Sequence, residues 1–344
     1  MQKIAIIGSG LSASYLAYLL KSQYEVHCFD KARGVGGRAA SKRASETSFD
    51  HGLSYFKIEN SVLKDFLEKD EFQDVIASEQ VNILTLDKYD SGATTLSKNE
   101  YYTSKPFGNS FCKKLLQDTP NQYKSYRVLE IKKLAAENYA LEIELDSGNV
   151  ILDGFTKVIS TAPNIQTAEL TKNFPSISAA AKIAEMSINF VVLISAKSAL
   201  KAKQNVLDSD ILRIEHSPIA EIIFNHKKAE RDFGQPSIVI KANKYWSKSH
   251  LEIDTKKLKQ LLIDEFISLC GVEDLEIDYS YIHRWLYSET LKPALDVQDF
   301  DQEKLFIHDS SGDEQIYACG DWAIGFGAEK ALLSAKSLAD YLLV

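Results

Sequence analysis

Residues 3–38 read KIAIIGSGLSASYLAYLLKSQYEVHCFDKARGVGGR. An apolar run ending at Ile7 meets Gly8, Ser9, Gly10, Leu11, Ser12 and Ala13, and Asp30 stands twenty residues past Gly10. This is a strand, a tight turn, a helix and a second strand closed by an acid, the opening of a dinucleotide-binding βαβ unit. The first glycine permits the turn, the second lets backbone approach a pyrophosphate, and the small Ala13 allows close packing of helix on strand. Amide N–H groups and the positive end of the helix dipole then face the phosphates. Asp30 is placed to accept hydrogen bonds from both hydroxyls of an adenosine ribose and would repel a 2′-phosphate. The adenosine half is therefore NAD-like or FAD-like.

A GxGxxA by itself is a weak signal, and Ile4–Leu20 could pass for the apolar core of a leader peptide behind Lys3. Gly-Ser-Gly interrupts that run, however, and no small-residue cleavage site precedes the charged, β-rich segment that follows. The 344 residues, 45% of them apolar, can bury a sizeable core and suggest two domains. No run of eighteen apolar residues is present, so no transmembrane span is expected. A net charge of −8 and a pI near 5.5 argue against a nucleic-acid or anionic-membrane partner and for a small molecule. Cys28, Cys112, Cys270 and Cys319 are far apart, without CxxC or His-Cys ligand spacing. Neither a metal site nor a disulfide framework is indicated, which fits a cytoplasmic location.

Behind Asp30 comes a second glycine cluster, Lys31, Ala32, Arg33, Gly34, Val35, Gly36, Gly37, Arg38. Two adjacent glycines and an arginine sit where a loop could fold back over the pyrophosphate, with Arg38 as counter-charge; a glycine-rich surface loop is the alternative. At the far end, Gln315–Cys319 reads as a strand. Gly320, Asp321 and Trp322 follow, then a turn through Gly325, Phe326 and Gly327 and a helix over 328–343. That is a second phosphate-site pattern, although a helix-capping Asp in a tight turn would look the same. No second GxGxxG/A follows a strand, so a separate NAD(P)H domain is unsupported.

Taken together, the GxGxxA, the acid at the end of the second strand and the Arg-Gly-Val-Gly-Gly-Arg run resemble the amine-oxidase and phytoene-desaturase class of FAD proteins. Within that class the chain is most similar to renalase-like proteins. Phe49, Asp50, His51, Gly52, Leu53, Ser54, Tyr55, Phe56 resembles their FDHGAQYF segment, departing at Leu53 and Ser54, and His283, Arg284, Trp285 resembles their HRW run. The resemblance implies an α/β fold: an FAD-binding Rossmann-like domain of the GR2 type with an inserted α+β substrate domain on a mixed sheet. It implies non-covalent FAD on Gly8, Gly10, Leu11, Ser12, Asp30, Lys31, Arg33, Gly36, Gly37 and Arg38. Val128 would meet the adenine with its backbone, though an ordinary core valine is an equal reading. Gly320 and Asp321 would hold the ribityl chain, and Gly327 and Ala328 would open a helix aimed at the flavin pyrimidine.

Between these ends, Ser61–Lys69 has helical spacing with Ser61 as N-cap, 107–116 reads as a helix, and 81–88, 93–96 and 100–103 read as short strands around an Asp90-Ser91-Gly92 turn. Strands are expected over 127–134, 139–145 and 154–160, the last returning to the nucleotide sheet. From Asn164 the pattern changes to helices over 165–174 and 176–184, then strands backed by an amphipathic helix over 255–270. The expected division is 1–56, 105–163 and 305–344 for the FAD-binding domain, and 57–104 and 164–304 for the substrate domain. Because flavin carries out the hydride chemistry itself, no dedicated catalytic acid or base need exist. His51, Tyr55, His283, Arg284 and Trp285 are candidates for a pocket wall, each with a structural reading beside it, and Trp322 and Phe326 could flank the flavin. By resemblance the activity is oxidation of an isomeric dihydronicotinamide dinucleotide to NAD(P)+, with O2 giving H2O2. A small-amine oxidase of the same fold and a non-catalytic FAD- or NAD-binding protein are the alternatives.

Overall fold

Gln2–Ile7 is a strand whose Ile4, Ala5 and Ile6 are fully buried, as a parallel strand covered on both faces requires. In the computed structural model, which describes residues 1–44, 47–89, 94–135, 137–231, 234–300, 304–309 and 315–344, it lies at the centre of a six-stranded sheet. Tyr24–Asp30 and Lys157–Ser160 flank it, both parallel. Asn121–Lys124 and Ile316–Ala318 lie outside these, again parallel, and Ile307–His308 closes one edge antiparallel. The sheet thus gathers the two ends of the chain beside its middle. Helix Leu11–Leu20 starts directly after Gly10, and its Ser12 Oγ donates to the Ala331 carbonyl of the last helix, Ala328–Leu343, at 2.9 Å.

An antiparallel meander, Arg127–Ala135, Asn138–Leu145 and Gly148–Phe155, leads into the returning strand. The single strand expected over 154–160 is two, because Gly154 takes φ +82° and the pairing slips between Leu152 and Phe155. The second sheet has seven strands, in spatial order Ile277–Trp285, Asn189–Ala196, Ser237–Ala242, Ile219–Phe224, Ile211–Glu215, Ile76–Asp87 and Thr94–Ser104. Only the contact of Ile211–Glu215 with Ile76–Asp87 is parallel. Alternation sorts its faces. Val192, Ile194, Leu212, Ile222 and Ile240 pack under helix Thr255–Cys270 through Leu258, Leu262 and Phe266. Val191, Leu193, Ile211, Ile223 and Val239 face the other way with Phe49 and Tyr101. With both faces covered, Asn189–Ala196 is buried at every position.

Several local expectations are corrected. Two long strands replace the three short ones over 81–103, since polar residues such as Ser78, Gln80 and Asn82 hide their period; the Asp90-Ser91-Gly92 turn lies outside the described residues. Helix Ser61–Leu67 is capped by Asn60, whose side chain accepts from Leu63 N, rather than by Ser61. The helix read over 107–116, with Asn109 or Ser110 as its opening residue, spans Ser110–Leu116 with Asn109 at the N-cap position. Helices Ser61–Leu67, Asn164–Leu170 and Pro175–Ile183 bury Leu63, Phe66, Ala168, Ile177 and Ala181 in the same core as Ile4 and Leu16. Phe66 lies 4.6 Å from Tyr15, ring centroid to centroid.

The two units meet at a buried ionic joint. Asp50 accepts hydrogen bonds from Arg231 Nη2 at 2.6 Å, Ser41 Oγ at 2.6 Å and Gly108 N at 2.9 Å, and pairs with Lys228 Nζ. The side chains of Asp50, Lys228 and Arg231 are all 0% exposed. Burial pushes the Asp50 carboxyl up, but Lys228 and Arg231 outweigh it and hold the pKa at about 2. All four cysteines are buried and free, with burial pushing each thiol up to about 12. No helix among the described residues is long and apolar enough to cross a membrane.

Candidate functional site

A cavity of about 1710 Å³ is lined by both sheets, well above the roughly 300–1,000 Å³ that usually holds one small molecule. Its first side is backbone. Gly8 takes φ +120° and donates to Phe29 O at 2.8 Å, and a Cβ there would strike Thr161 Oγ1 at 2.2 Å. The second glycine cluster lies directly on the first turn. Gly36 N donates to Ser9 O at 2.8 Å, Gly10 and Gly36 form a parallel bridge, and a Cβ on Gly37 would meet Gly10 Cα at 3.2 Å. A Cβ on Gly10 would meet nothing nearer than 3.9 Å, and one on Gly327 nothing within 4 Å. Both glycines line the cavity, so their missing side chains leave room for a bound group.

Asp30 closes its strand at the same end. Its Oδ2 accepts from Ser9 N at 2.9 Å and Ser9 Oγ at 2.5 Å, and its Oδ1 accepts from Ala32 N at 2.8 Å. These contacts fix the carboxylate against the turn, and with about four lone-pair sites it keeps acceptor capacity for hydroxyls. Lys31 and Val128 also line the cavity, whereas Arg33 is exposed and does not. Val128 pairs with Ile143 in the meander and is 9% exposed.

Arg38 and Asp321 come together across 283 positions. Arg38 Nη1 donates to Asp321 Oδ2 at 2.8 Å and Nη2 to Oδ1 at 2.5 Å, while Nη1 also donates to Ser288 O. Burial works against the guanidinium charge, but the Asp321 carboxylate prevails and holds the Arg38 pKa above its ordinary value. This bidentate pair binds the second glycine cluster to the carboxy-terminal turn. Gly320 N donates to Ser334 Oγ, and Gly327 at φ +121° opens helix Ala328–Leu343. Trp322 is a packing residue: 1% exposed, it donates through Nε1 to Ala162 O at 2.9 Å. Phe326 is 55% exposed at the cavity edge.

The opposite wall is aromatic. His51 stacks on Trp285 at 5.1 Å, meets His283 edge-on at 4.8 Å, and its carbonyl accepts from Trp285 Nε1 at 3.0 Å. Gly52 has no room for a Cβ, which would fall 1.9 Å from Arg38 O; Leu53 N donates to that same oxygen at 2.8 Å. The aromatic wall is thereby joined to the glycine turns. Burial and the neighbouring His283 push the His51 pKa down to about 4, and burial with Lys42 nearby lowers that of His283. Both rings are neutral at pH 7, and His51 Nδ1 is buried without a hydrogen-bond partner. Burial raises the Tyr55 pKa, and Lys228 Nζ lies 5.1 Å from its ring centre. Arg284 is exposed at the cavity margin.

Thr85, Tyr101, Arg213, Glu221 and Lys241 also line the cavity and were not singled out in the sequence. Each sits in a stretch that reads as a strand, but which face of it meets the cavity could not be read from the sequence. Among the described residues Asp87, Glu215 and His216 bring possible metal-ligand atoms within 4.8 Å of one another, a proximity that the cross-strand pairing of Asp87 with Glu215 already explains.

Residues 6–69 match the family of NAD(P)-binding Rossmann-like domains. Over the whole chain, the fold is similar to a candidate protoporphyrinogen oxidase from Exiguobacterium sp. 255-15, with TM-score 0.75, 12% identity, and 99% of this chain and 98% of that one covered. It is similar to a triple mutant of putrescine oxidase redesigned in cofactor binding, with TM-score 0.74, 9% identity and coverages of 99% and 98%. A reduced UDP-galactopyranose mutase matches with TM-score 0.72, 11% identity and coverages of 100% and 94%. The chain therefore opens with a NAD(P)-binding Rossmann-like domain and carries, end to end, the fold of these three proteins.

Proposed function

We propose that this protein is an FAD-dependent oxidase of the renalase type, which takes a hydride from an isomeric dihydronicotinamide dinucleotide and releases NAD(P)+. The observation that carries this reading is one cavity shared by two glycine turns, the Arg38–Asp321 pair and the His51–His283–Trp285 wall. The turns at Gly8–Ser12 and Gly36–Gly37 would hold the diphosphate, Asp30 the adenosine ribose, and Asp321 the ribityl chain. The N-terminus of helix Ala328–Leu343 would face the flavin pyrimidine with the positive end of its dipole. Bound there, FAD supplies a two-electron acceptor that O2 can reoxidise with formation of H2O2. The likeness in fold to oxidases supports the same reading.

The chain's own part is binding and exclusion of water. Trp285 and His51 offer flat faces to a planar ring. His51 and His283, their pKa values lowered chiefly by burial, would not repel the positive charge that a nicotinamide gains on losing hydride. Oxidation of a small amine is the second reading, favoured by the aromatic Tyr55 and Trp285 and by the likeness to putrescine oxidase.

The test is direct. Purified protein should absorb near ~450 nm from bound flavin; protein without flavin that cannot be reconstituted refutes both oxidase readings and leaves a binding protein. Anaerobic mixing with borohydride-reduced NAD isomers should bleach the flavin, and bleaching by amines alone would favour the second reading.

A further inference from the structure

One row of the seven-stranded sheet crosses six of its strands, each residue paired with the next. Thr85 pairs with Arg213, Arg213 with Glu221, Glu221 with Lys241, Lys241 with Val191, and Val191 with His283. Residues opposite one another on neighbouring strands share a face, and Thr85, Arg213, Glu221, Lys241, Val191 and His283 all line the cavity. The row begins at the aromatic wall. At about 4.8 Å per strand, Lys241 stands ~10 Å from the His283 position and Arg213 ~19 Å.

The charges along it are unbalanced. Glu221 is shared between Lys241 Nζ at 3.1 Å and Arg213 Nε at 3.9 Å, so two cations face one carboxylate. Arg213 Nη2 donates to Tyr101 Oη at 3.0 Å, which orients the guanidinium, and its side chain remains 50% exposed. A planar arginine fork with free donors, beside a lysine, suits phosphate oxygens. A salt-bridge row with no ligand needs no surplus cation, nor a position on a cavity floor.

We infer that Arg213 and Lys241 form an anion subsite for the phosphate-bearing tail of an elongated substrate whose reactive ring lies at His51, His283 and Trp285. Glu221 tempers this subsite: it keeps the two cations spaced and competes with the incoming phosphate. The inference deepens the proposed function and rests on its reading of the aromatic wall as the place of reaction. It also gives the cavity a size preference, since a small amine at the aromatic wall would not reach Lys241 or Arg213.

Calorimetric titration of the flavin-loaded protein with NAD+ and with nicotinamide riboside, which lacks phosphate, tests it. Arg213→Ala and Lys241→Ala should each weaken NAD+ binding about tenfold, the range of a hydrogen bond to a charged group, and leave nicotinamide riboside unchanged. Glu221→Gln should tighten NAD+, a sign opposite to that expected if the three residues only hold the sheet together. Equal losses for both ligands, weaker NAD+ binding in Glu221→Gln, or no NAD+ binding by the unmodified protein overturns the subsite. If NAD+ follows the expected pattern while dihydronicotinamides fail to reduce the flavin, the proposed activity falls and the anion subsite stands.

Discussion

Replacing Asp50 by Asn removes the anion from the joint between the nucleotide-binding core and the seven-stranded sheet. Lys228 and Arg231 would be left as two cations with fully buried side chains, and Asn would turn one acceptor oxygen into an amide donor pointed at them. Breaking a buried pair by losing one partner costs about 3–5 kcal/mol. A second route uses the carboxyl pKa, held at about 2 against an ordinary 3.8; that difference contributes roughly 2 kcal/mol at neutral pH. The smaller figure compares ionised with protonated carboxyl, and the larger one also counts the lost partner. For 344 residues an unfolding entropy of about 0.7 kcal/mol/K converts this to a fall of roughly 3–7 °C in Tm. Thermal melts at pH 7 should be run with and without excess FAD, because bound cofactor adds its own stabilisation. A depressed carboxyl stabilises above its unfolded pKa, so the contribution is full above about pH 4 and vanishes as pH falls toward 2. A Tm change below about 1 °C, or unaltered acid sensitivity between pH 4 and 2, would refute the reasoning. Replacing Asp50, Lys228 and Arg231 together by apolar residues should recover most of the loss, since Arg231 Nε and Nη1 already lack partners.

Other outcomes are expected nearer the cavity. Gly36→Ala places a Cβ 2.6 Å from Asn109 Cβ at φ +119°, so flavin content after purification should drop sharply; full retention would show that the loop adapts. Asp30→Ala would remove the acceptor proposed for both ribose hydroxyls and should weaken FAD retention, read as flavin lost on dialysis, with unchanged content contradicting the role proposed for the acid. His51 is neutral in the fold down to about pH 4, whereas the unfolded residue protonates near 6.5. Its contribution is therefore complete above pH 6.5 and falls by roughly 3 kcal/mol as pH drops toward 4. In denaturant titrations His51→Gln should flatten that part of the stability profile, and an unchanged slope would refute the burial argument.

The nucleotide side was legible because backbone builds it. Gly8, Gly36 and Gly37 take positive φ where a Cβ would also crowd its neighbours, and glycine is visible in a sequence in a way that a side chain's direction is not. Asp30 could be found from its spacing to Gly10. The meeting of Arg38 with Asp321 could not: each was placed near the cofactor, but nothing local to either says that it pairs with the other. The helices at 164–183 were legible for their apolar faces, but the core that receives them, shared with Ile4 and Leu16, was not. Asp50 stood inside a quoted segment without drawing notice, since its partners Lys228 and Arg231 lie almost 180 residues away.

The substrate side obeys a different rule. Its row of Thr85, Arg213, Glu221, Lys241, Val191 and His283 comes from six strands, only some adjacent in sequence, and exists only once their register is set. A slip of one residue in any strand would send that position to the opposite face, under helix Thr255–Cys270. What holds the register is the apolar alternation on both faces, with Val192 and Ile194 under the helix and Val191 and Leu193 toward the cavity. The polar row is thus a consequence of hydrophobic packing that has no chemistry of its own. On the proposed reading, changing Lys241 or Arg213 would alter what the cavity recognises while leaving that packing intact. On the same reading, this division would let the sheet change its charged row for another substrate without disturbing the glycine turns on the far side of the cavity.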